Sequence, residues 1–206
     1  MASASSEYLQ GVAIGVAKLL GTEFKCFRSR NEFRRAVPEG HDVVVLSSSN
    51  KWSPLINVSF YFGKNYSAAK RIETILGPHR SIYHVQQFAF HRQPLYAATY
   101  SGPDNWDIDL THPPEDLPQQ ILAAIRGMAE PFFERFTSIN AARDAIANED
   151  RGCFSGQAFW RQLLLLDLTL GDIKHFLDWS ASLPPFEAQQ AKEQIAKYRQ
   201  AHENAA

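Results

Sequence analysis

The chain has 206 residues, of which 45% are hydrophobic, and this is enough apolar material to form a folded core. Its 21 Lys and Arg residues against 22 Asp and Glu residues give a net charge of −1, which excludes a bulk attraction to nucleic acid or to an anionic membrane. The two cysteines, Cys26 and Cys153, are too few for a disulfide framework or a zinc site of their own. No apolar run is long enough for a membrane-spanning helix, so we expect a soluble, reduced protein.

The first predicted element is an amphipathic helix that begins near Ser5 or Ser6 and ends at Gly21. Its apolar stripe is formed by Tyr8, Val12, Val16 and Leu19. The segment has the apolar character of a secretion signal, but no cation precedes it, so we expect a cytoplasmic protein. Gly11 and Gly15 leave room for a second element to lie close to this helix, and we interpret them as packing positions.

Four segments rich in β-branched and aromatic residues predict strands. They span residues 24–35, 42–47, 55–62 and 82–91. In the third, Ile56, Val58, Phe60 and Phe62 alternate with more polar residues, which is typical of a sheet with one side on the core. A helix over 66–76 is expected to connect the third strand to the fourth.

The second half of the chain predicts helices, because apolar residues recur there every three or four positions. They span 117–136, 138–147, 157–170, 172–183 and 187–202. Leucines make the 157–170 helix apolar nearly all round, as expected of a helix that others surround. An acidic, proline-containing stretch, 104–116, precedes them.

The pattern predicts an α+β fold: an antiparallel sheet of four to six strands with helices on one face, followed by a helical C-terminal half. We expect a single domain over 1–206. Residues 1–103 are mainly β and basic, with 12 Lys and Arg against 6 Asp and Glu, whereas residues 104–206 are mainly helical and acidic, with 9 against 16.

The acidic stretch is the first candidate site, as a surface that binds a partner. Its residues are Asp104, Trp106, Asp107, Asp109, Glu115 and Asp116. The tryptophan would serve as a buried anchor in the interface, and the carboxylates around it would meet a cationic partner. The alternative is that Trp106 belongs to the core and that the acids stabilise turns and the next helix N-terminus. If residues 106–110 are extended, Asp107 and Asp109 point the same way. The ligand pattern of a metal site is missing, so we expect no metal and no cofactor.

His84, Gln86 and His91 form a second candidate, a polar spot beside apolar walls in a pocket between sheet and helices. Asp107 and Asp109 would converge with them on that pocket. A third is the basic and aromatic run over 24–35, where cations and rings could hold single-stranded nucleic acid. The near-neutral chain disfavours that use, and the arginines could instead be the solvated face of an edge hairpin. No serine, cysteine or phosphate-binding motif stands out as catalytic.

Residues 7–100 resemble an uncharacterised bacterial family, the domain of unknown function 4304 family. The resemblance is carried by the opening helix that ends Leu19-Leu20-Gly21 and by segments 24–33, 43–52 and 56–63. It implies an accessory protein of the kind found beside bacterial toxins, with no established enzyme activity. It assigns no site residue.

The leading hypothesis is therefore a non-enzymatic cytoplasmic protein that binds another protein, as an immunity or antitoxin-type inhibitor of a bacterial toxin. An enzyme or small-molecule binder with a cleft between sheet and helices is the alternative. Single-stranded nucleic-acid binding ranks third.

Overall fold

The computed structural model describes residues 4–52, 54–76, 85–88, 102–148 and 159–203, with the backbone alone at 50–52, 85–88 and 159. The strands in these ranges are β1 (Lys25–Phe27), β2 (Glu32–Val37), β3 (Gly40–Trp52), β4 (Leu55–Tyr66), β5 (Val85–Phe88) and β6 (Asn105–Asp109). The helices are α1 (Ala4–Leu20), α2 (Ala69–Leu76), α3 (Leu117–Ala124), α4 (Glu130–Arg135), α5 (Ile139–Ala147), α6 (Phe159–Leu170), α7 (Ile173–Trp179) and α8 (Pro185–Glu203). The predicted α+β class with a helical C-terminal half is confirmed.

The strands form one antiparallel sheet in the order β1-β2-β3-β4-β5, with β6 also paired to β4. β5 pairs with the second half of β4, from Tyr61 to Lys64, and β6 pairs with the first half, from Leu55 to Ser59. Because β3 occupies the opposite side of β4, β5 and β6 share one side of that strand. Strand β6 contains Asp107 and Asp109, so the first part of the acidic segment belongs to the sheet.

The two faces of the sheet differ, as the alternation in β4 predicts. Ile56, Val58, Phe60 and Phe62 are buried and belong to the hydrophobic core that includes residues of the helices. We call this side the inner face. The outer face is the opposite side, which carries Lys25, Arg34, Val45, Tyr61 and Asp107 at paired or equivalent register positions.

The predicted strand over 24–35 is instead two short strands joined by a tight turn. A 3₁₀ turn spans Arg28–Arg30, and Asn31 follows it with φ of 49°. This left-handed conformation reverses the chain, and asparagine tolerates it better than most residues. The edge-hairpin alternative is therefore correct for this segment, although its composition suits a strand on both sides of the turn and does not predict where the turn lies.

The predicted helix over 117–136 contains a π turn at Ile125–Ala129. Pro131 follows it in the first turn of α4. Proline has no N–H to donate to the carbonyl four residues back, and its ring clashes with that group, so the wider turn accommodates it. The helical backbone thus continues through the proline, and Glu130, the residue before it, contacts Arg35 of the sheet.

The buried stripe of α1 differs from the predicted one in its last turn. Val12 and Val16 are buried, as predicted, whereas Leu19 is 40% exposed and Leu20 is buried in its place. The buried stripe therefore continues from Val16 to Leu20, a step of four residues. Steps of three and of four both keep residues on the same face of a helix.

Gly15 lies where α1 meets α3. A Cβ added there would be 2.8 Å from Cγ of Pro118, whereas one added at Gly11 would have no neighbour within 4 Å. Close packing therefore explains Gly15 but not Gly11. Gly21, with φ of 64°, ends α1 as predicted.

The helical half shares its hydrophobic core with the sheet. The core cluster runs from Leu9 of α1 to Ile195 of α8, and the leucines at 163–166 of α6 are all buried, as expected of a helix surrounded by others. None of the described helices is long and apolar enough to cross a membrane.

Candidate functional site

The acidic segment presents two carboxylates on the outer face of the sheet. Asp107 lies opposite Asn57 and Asp109 lies opposite Leu55, so the two aspartates share one face, as their spacing predicts for an extended segment. Asp107 is exposed, and Leu55, at 41%, is among the few large apolar residues of the described ranges with such exposure. The result is an apolar side chain next to two acids on a hydrogen-bonded strand pair.

Hydrogen bonds hold the carboxylates of this segment in place. Asp107 accepts from Nδ2 of Asn57 at 2.8 Å, and Asp104 accepts from Nδ2 of Asn105 at 2.7 Å. Asp109 accepts from the backbone N–H and hydroxyl of Thr111 at 2.8 and 2.7 Å, and these bonds lower the pKa of Asp109. These hydrogen bonds fix the positions of the three carboxylates.

The other two acids precede α3. Asp116 is its N-cap residue and accepts from Nε2 of Gln120 at 3.0 Å, while Glu115 is exposed beside it. Negative charge is favourable at this end of a helix. We call Asp104, Asp107, Asp109, Glu115 and Asp116 the acidic ridge.

Trp106 faces away from the ridge, into the core. Its side chain is 7% exposed, its ring centroid is 6.3 Å from that of Phe60, and its indole N–H donates to Oε1 of Gln120 at 2.9 Å. In this fold the ring is a core group that anchors β6 to α3. Leu55, which sequence reasoning did not single out, is the exposed apolar residue beside the acids.

The alternative pocket falls mostly outside the described residues. His84 and His91 lie outside them, and of Gln86 only the backbone is described, in β5 opposite Gly63. Their convergence with Asp107 and Asp109 stays a prediction.

The basic and aromatic run forms a corner at the opposite edge of the sheet. Lys25 Nζ and Arg34 Cζ lie 5.4 and 4.8 Å from the centroid of the Phe27 ring, on the outer face. Arg28 and Arg30 belong to the turn that follows, and Arg34 also pairs with Glu32. We call Lys25, Arg28, Arg30 and Arg34 the basic corner. Cations already lie over the aromatic ring, so it is not an open stacking platform.

Arg35, one residue further along β2, lies on the inner face and does not belong to the solvated surface that the hairpin interpretation expects. Its guanidinium donates to both oxygens of Glu130 at 3.0 and 2.7 Å, and its Nε donates to Asp42 at 2.9 Å. Lys64 Nζ lies 2.6 Å from the other oxygen of Asp42. We call Arg35, Asp42, Lys64 and Glu130 the ion quartet.

The centre of the ion quartet is almost fully removed from water. The side chains of Asp42 and Lys64 are 1% and 4% exposed. The Phe133 ring covers both cations, and its centroid lies 5.4 Å from Arg35 Cζ and 5.9 Å from Lys64 Nζ. Two positive and two negative groups balance, so the quartet is neutral as a whole and joins three strands to α4.

Two further polar contacts connect the same end of the sheet to α5. The Tyr66 hydroxyl donates to the carbonyls of Phe136 and Ser138, at 3.0 and 3.2 Å, and burial raises the pKa of Tyr66. Glu39 in the β2–β3 turn accepts from the N–H of Ile139 at 2.8 Å, at the first residue of α5. The relative position of sheet and helices is therefore set by polar contacts as well as by apolar packing.

A second buried carboxylate lies among the C-terminal helices. Asp167 of α6 is fully buried and accepts from Nδ1 of His175 at 2.9 and 3.0 Å. Burial raises the pKa of Asp167, and the hydrogen bond from His175 opposes that rise. Arg143 of α5 lies 4.0 Å from Asp167 and 3.5 Å from Asp172, the N-cap residue of α7.

The pairing of a buried aspartate with a half-buried histidine is the arrangement that orients a general base. Catalysis of that kind also needs a nucleophile or a bound water next to the imidazole. Within the described ranges, the hydrogen bonds of His175 go to Asp167 and Asp172, and no hydroxyl or thiol side chain is bonded to its ring. The pair joins α6 to α7, and Arg143 extends the cluster to α5.

Sequence reasoning missed both buried charge clusters, although signals for them exist. Asp42 continues the alternation of Val44 and Leu46, and Lys64 continues that of Phe60 and Phe62, so strand periodicity alone places both on the inner face. A lone aspartate in the leucine-rich 163–170 segment likewise requires a partner. The identity of the partners depends on the fold.

The fold and these clusters define an α+β protein with one sheet face covered by helices and an outer face that is basic at one corner and acidic at the other. Comparison with known proteins finds no matching family model, no matching curated protein and no matching solved structure. In the described part of the chain, no group of three or more His, Cys, Asp or Glu residues could hold a metal ion.

Proposed function

We propose that this protein binds another protein through the acidic ridge and Leu55, as a cytoplasmic immunity or antitoxin-type inhibitor of a bacterial toxin. The observation that supports it is the exposed Leu55 beside Asp109 and Asp107 on one rigid face. An apolar contact surrounded by fixed charges is how tight protein interfaces are commonly built.

The chemistry of the partner follows from the sign of the ridge. Toxins that cleave nucleic acid carry a cationic active site, and an acidic surface is complementary to it. The hydrogen bonds to Asp107 and Asp109 limit the side-chain entropy lost when the complex forms. Strand β6 is further held by Trp106 in the core, so the ridge does not need to fold on binding.

The ridge would act mainly on the rate of association. Charges at the rim of an interface steer the encounter, and their effect falls as salt screens them. Leu55 would act on dissociation, because the apolar contact forms only in the final complex.

The test uses a panel of purified bacterial nuclease toxin domains, with residual nuclease activity as the readout. A domain that the chain inhibits is then followed by stopped-flow association with wild type, with Asp107→Asn/Asp109→Asn and with Leu55→Ser. We expect the first variant to lower the association rate by about tenfold at low salt and to flatten its salt dependence. The second should raise the dissociation rate by about tenfold.

The matched control is Asp144→Asn/Asp178→Asn, which removes two carboxylates from α5 and α7. It should leave both rates unchanged. Inhibition of no domain in the panel would contradict the inhibitor function, and inhibition with unchanged rates in the ridge and Leu55 variants would contradict this surface.

A further inference from the structure

We propose that the basic corner binds the phosphate backbone of double-stranded nucleic acid, without sequence preference. This surface is separate from the acidic ridge, and the inference does not rest on the proposed inhibitor function. It is drawn from exposed cations on an ordered turn, and from the small number of carboxylates that the chain could place against them.

The turn between β1 and β2 holds three cations in solvent. Lys25 is the first residue of β1, Arg28 and Arg30 begin and end the 3₁₀ turn, and all three are exposed. The N–H of Asn31 donates to the carbonyl of Arg28 at 3.3 Å, and the carbonyl of Asn31 accepts from the N–H of Leu46 in β3 at 2.9 Å. The turn is therefore bonded to the sheet, so a ligand has only side chains to order.

Among the described residues, no carboxylate forms an ion pair with these three cations. Glu32 pairs with Arg34, the fourth cation of the basic corner. Glu23 is exposed two residues before β1. With both acids counted, four cations against two carboxylates leave a net charge of +2 at this corner. The chain as a whole is nearly neutral, so an attraction to nucleic acid is confined to this part of its surface.

The remaining residues of the chain carry few carboxylates that could neutralise the corner. Segment 77–101 contains no Asp or Glu, and outside the described side chains the carboxylates are Glu149 and Asp150. The described chain before these two ends beside α7, where the Trp179 indole donates to the carbonyl of Ala147 at 3.1 Å. That contact belongs to the helical layer over the inner face, whereas Lys25 of the basic corner lies on the outer face.

Phosphate is the anion that suits this set of donors. A guanidinium donates two parallel hydrogen bonds to phosphate oxygens, and an ammonium adds a point charge. A nucleic-acid duplex carries one negative charge per about 1.7 Å of its axis. Three cations within residues 25–30 can therefore each contact a different phosphate of one duplex.

The surroundings of Phe27 favour a duplex over a single strand. Proteins hold single strands by stacking bases on aromatic side chains, and here Lys25 and Arg34 already lie over the Phe27 ring. A duplex keeps its bases stacked inside and presents its phosphates. An anionic membrane is disfavoured, because clusters that bind it have about four to eight cations and the Arg28–Arg30 turn has no apolar side chain to insert.

The test is the fluorescence anisotropy of a labelled DNA duplex of about 20 base pairs, at about 0.02–0.08 M NaCl. Contacts to three phosphates give a slope of about −2.7 in log K against log salt, so wild type should lose about 40-fold in affinity over this range. Arg30→Gln should reduce the slope to about −1.8 and weaken binding by about 30-fold at the lowest salt. Arg28→Gln/Arg30→Gln should show no measurable binding.

The matched control is Lys192→Gln/Lys197→Gln, which removes the same charge from exposed positions of α8 and should bind as wild type does. A duplex of different sequence should bind equally well, and circular dichroism melts establish that each variant is folded. The proposal is overturned if wild type does not bind the duplex at the lowest salt, or if the α8 control loses as much affinity as the turn variant. Tighter binding to a single strand of the same length, or binding to phosphatidylglycerol vesicles alone, would also overturn it.

Discussion

Removal of the Lys64 charge is the sharpest test of the buried ion quartet. In Lys64→Met the aliphatic stem is replaced by one of similar size, so no large cavity forms. Arg35 then remains alone between Asp42 and Glu130, and the buried cluster carries one excess negative charge. Leaving a buried charge uncompensated lowers the free energy of unfolding by about 3–5 kcal/mol.

The same reasoning predicts that a second substitution repairs part of the loss. Asp42→Asn alone leaves one excess positive charge and should also lower the free energy of unfolding by about 3 kcal/mol. In the double variant, Arg35 and Glu130 remain as a balanced, doubly hydrogen-bonded pair. The double variant should therefore be about 2 kcal/mol more stable than the sum of the single losses predicts.

Equilibrium unfolding in urea measures all three variants, with Lys70→Met as the control because Lys70 is an exposed lysine on α2. The control should change the free energy of unfolding by no more than about 0.5 kcal/mol. The interpretation of the quartet is refuted if Lys64→Met behaves like this control, or if the losses of Lys64→Met and Asp42→Asn simply add.

Three further outcomes are expected from the same urea measurement. The pKa of Asp167 is raised in the folded protein. The free energy of unfolding of wild type should therefore fall relative to that of Asp167→Asn as the pH rises above 3.8, the ordinary pKa of an aspartate. A rise of wild type relative to the variant over that range would contradict this expectation. Gly15→Ala should lower the free energy of unfolding by about 1–3 kcal/mol, because the added methyl group would contact Pro118. Gly11→Ala should raise it by about 0.5 kcal/mol, because no atom lies near the added group. Equal effects at the two glycines would exclude the contact with Pro118. Trp106→Phe should lose about 2 kcal/mol through its missing N–H donor, and an unchanged midpoint would show that the hydrogen bond contributes little.

The pattern of polar and apolar residues predicted most elements, because side-chain periodicity follows directly from backbone geometry. The helix ending at Gly21 and the alternation through Phe60 and Phe62 are local properties, and the structure shows both. The position of the turn at Asn31 and the π turn before Pro131 were missed, since each interrupts a segment whose composition suits a continuous element.

The acidic residues of the ridge, and the shared direction of Asp107 and Asp109, were also predictable from the sequence. The position of Trp106 was not, because an aromatic residue in an alternating segment faces the core or the solvent according to which face the rest of the chain covers. The helices cover the inner face, which buries Trp106 and leaves Leu55 exposed.

Local sequence thus determined the elements, the charge asymmetry between the two halves and the class of fold. Only the tertiary structure determined which charged residues pair with each other. Arg35 and Glu130 are 95 residues apart in the chain. Asp167 and His175 are brought into contact by the turn between α6 and α7. Partner choice of this kind depends on strand register and helix packing, which are set by contacts between distant residues and leave no periodic signal in the sequence.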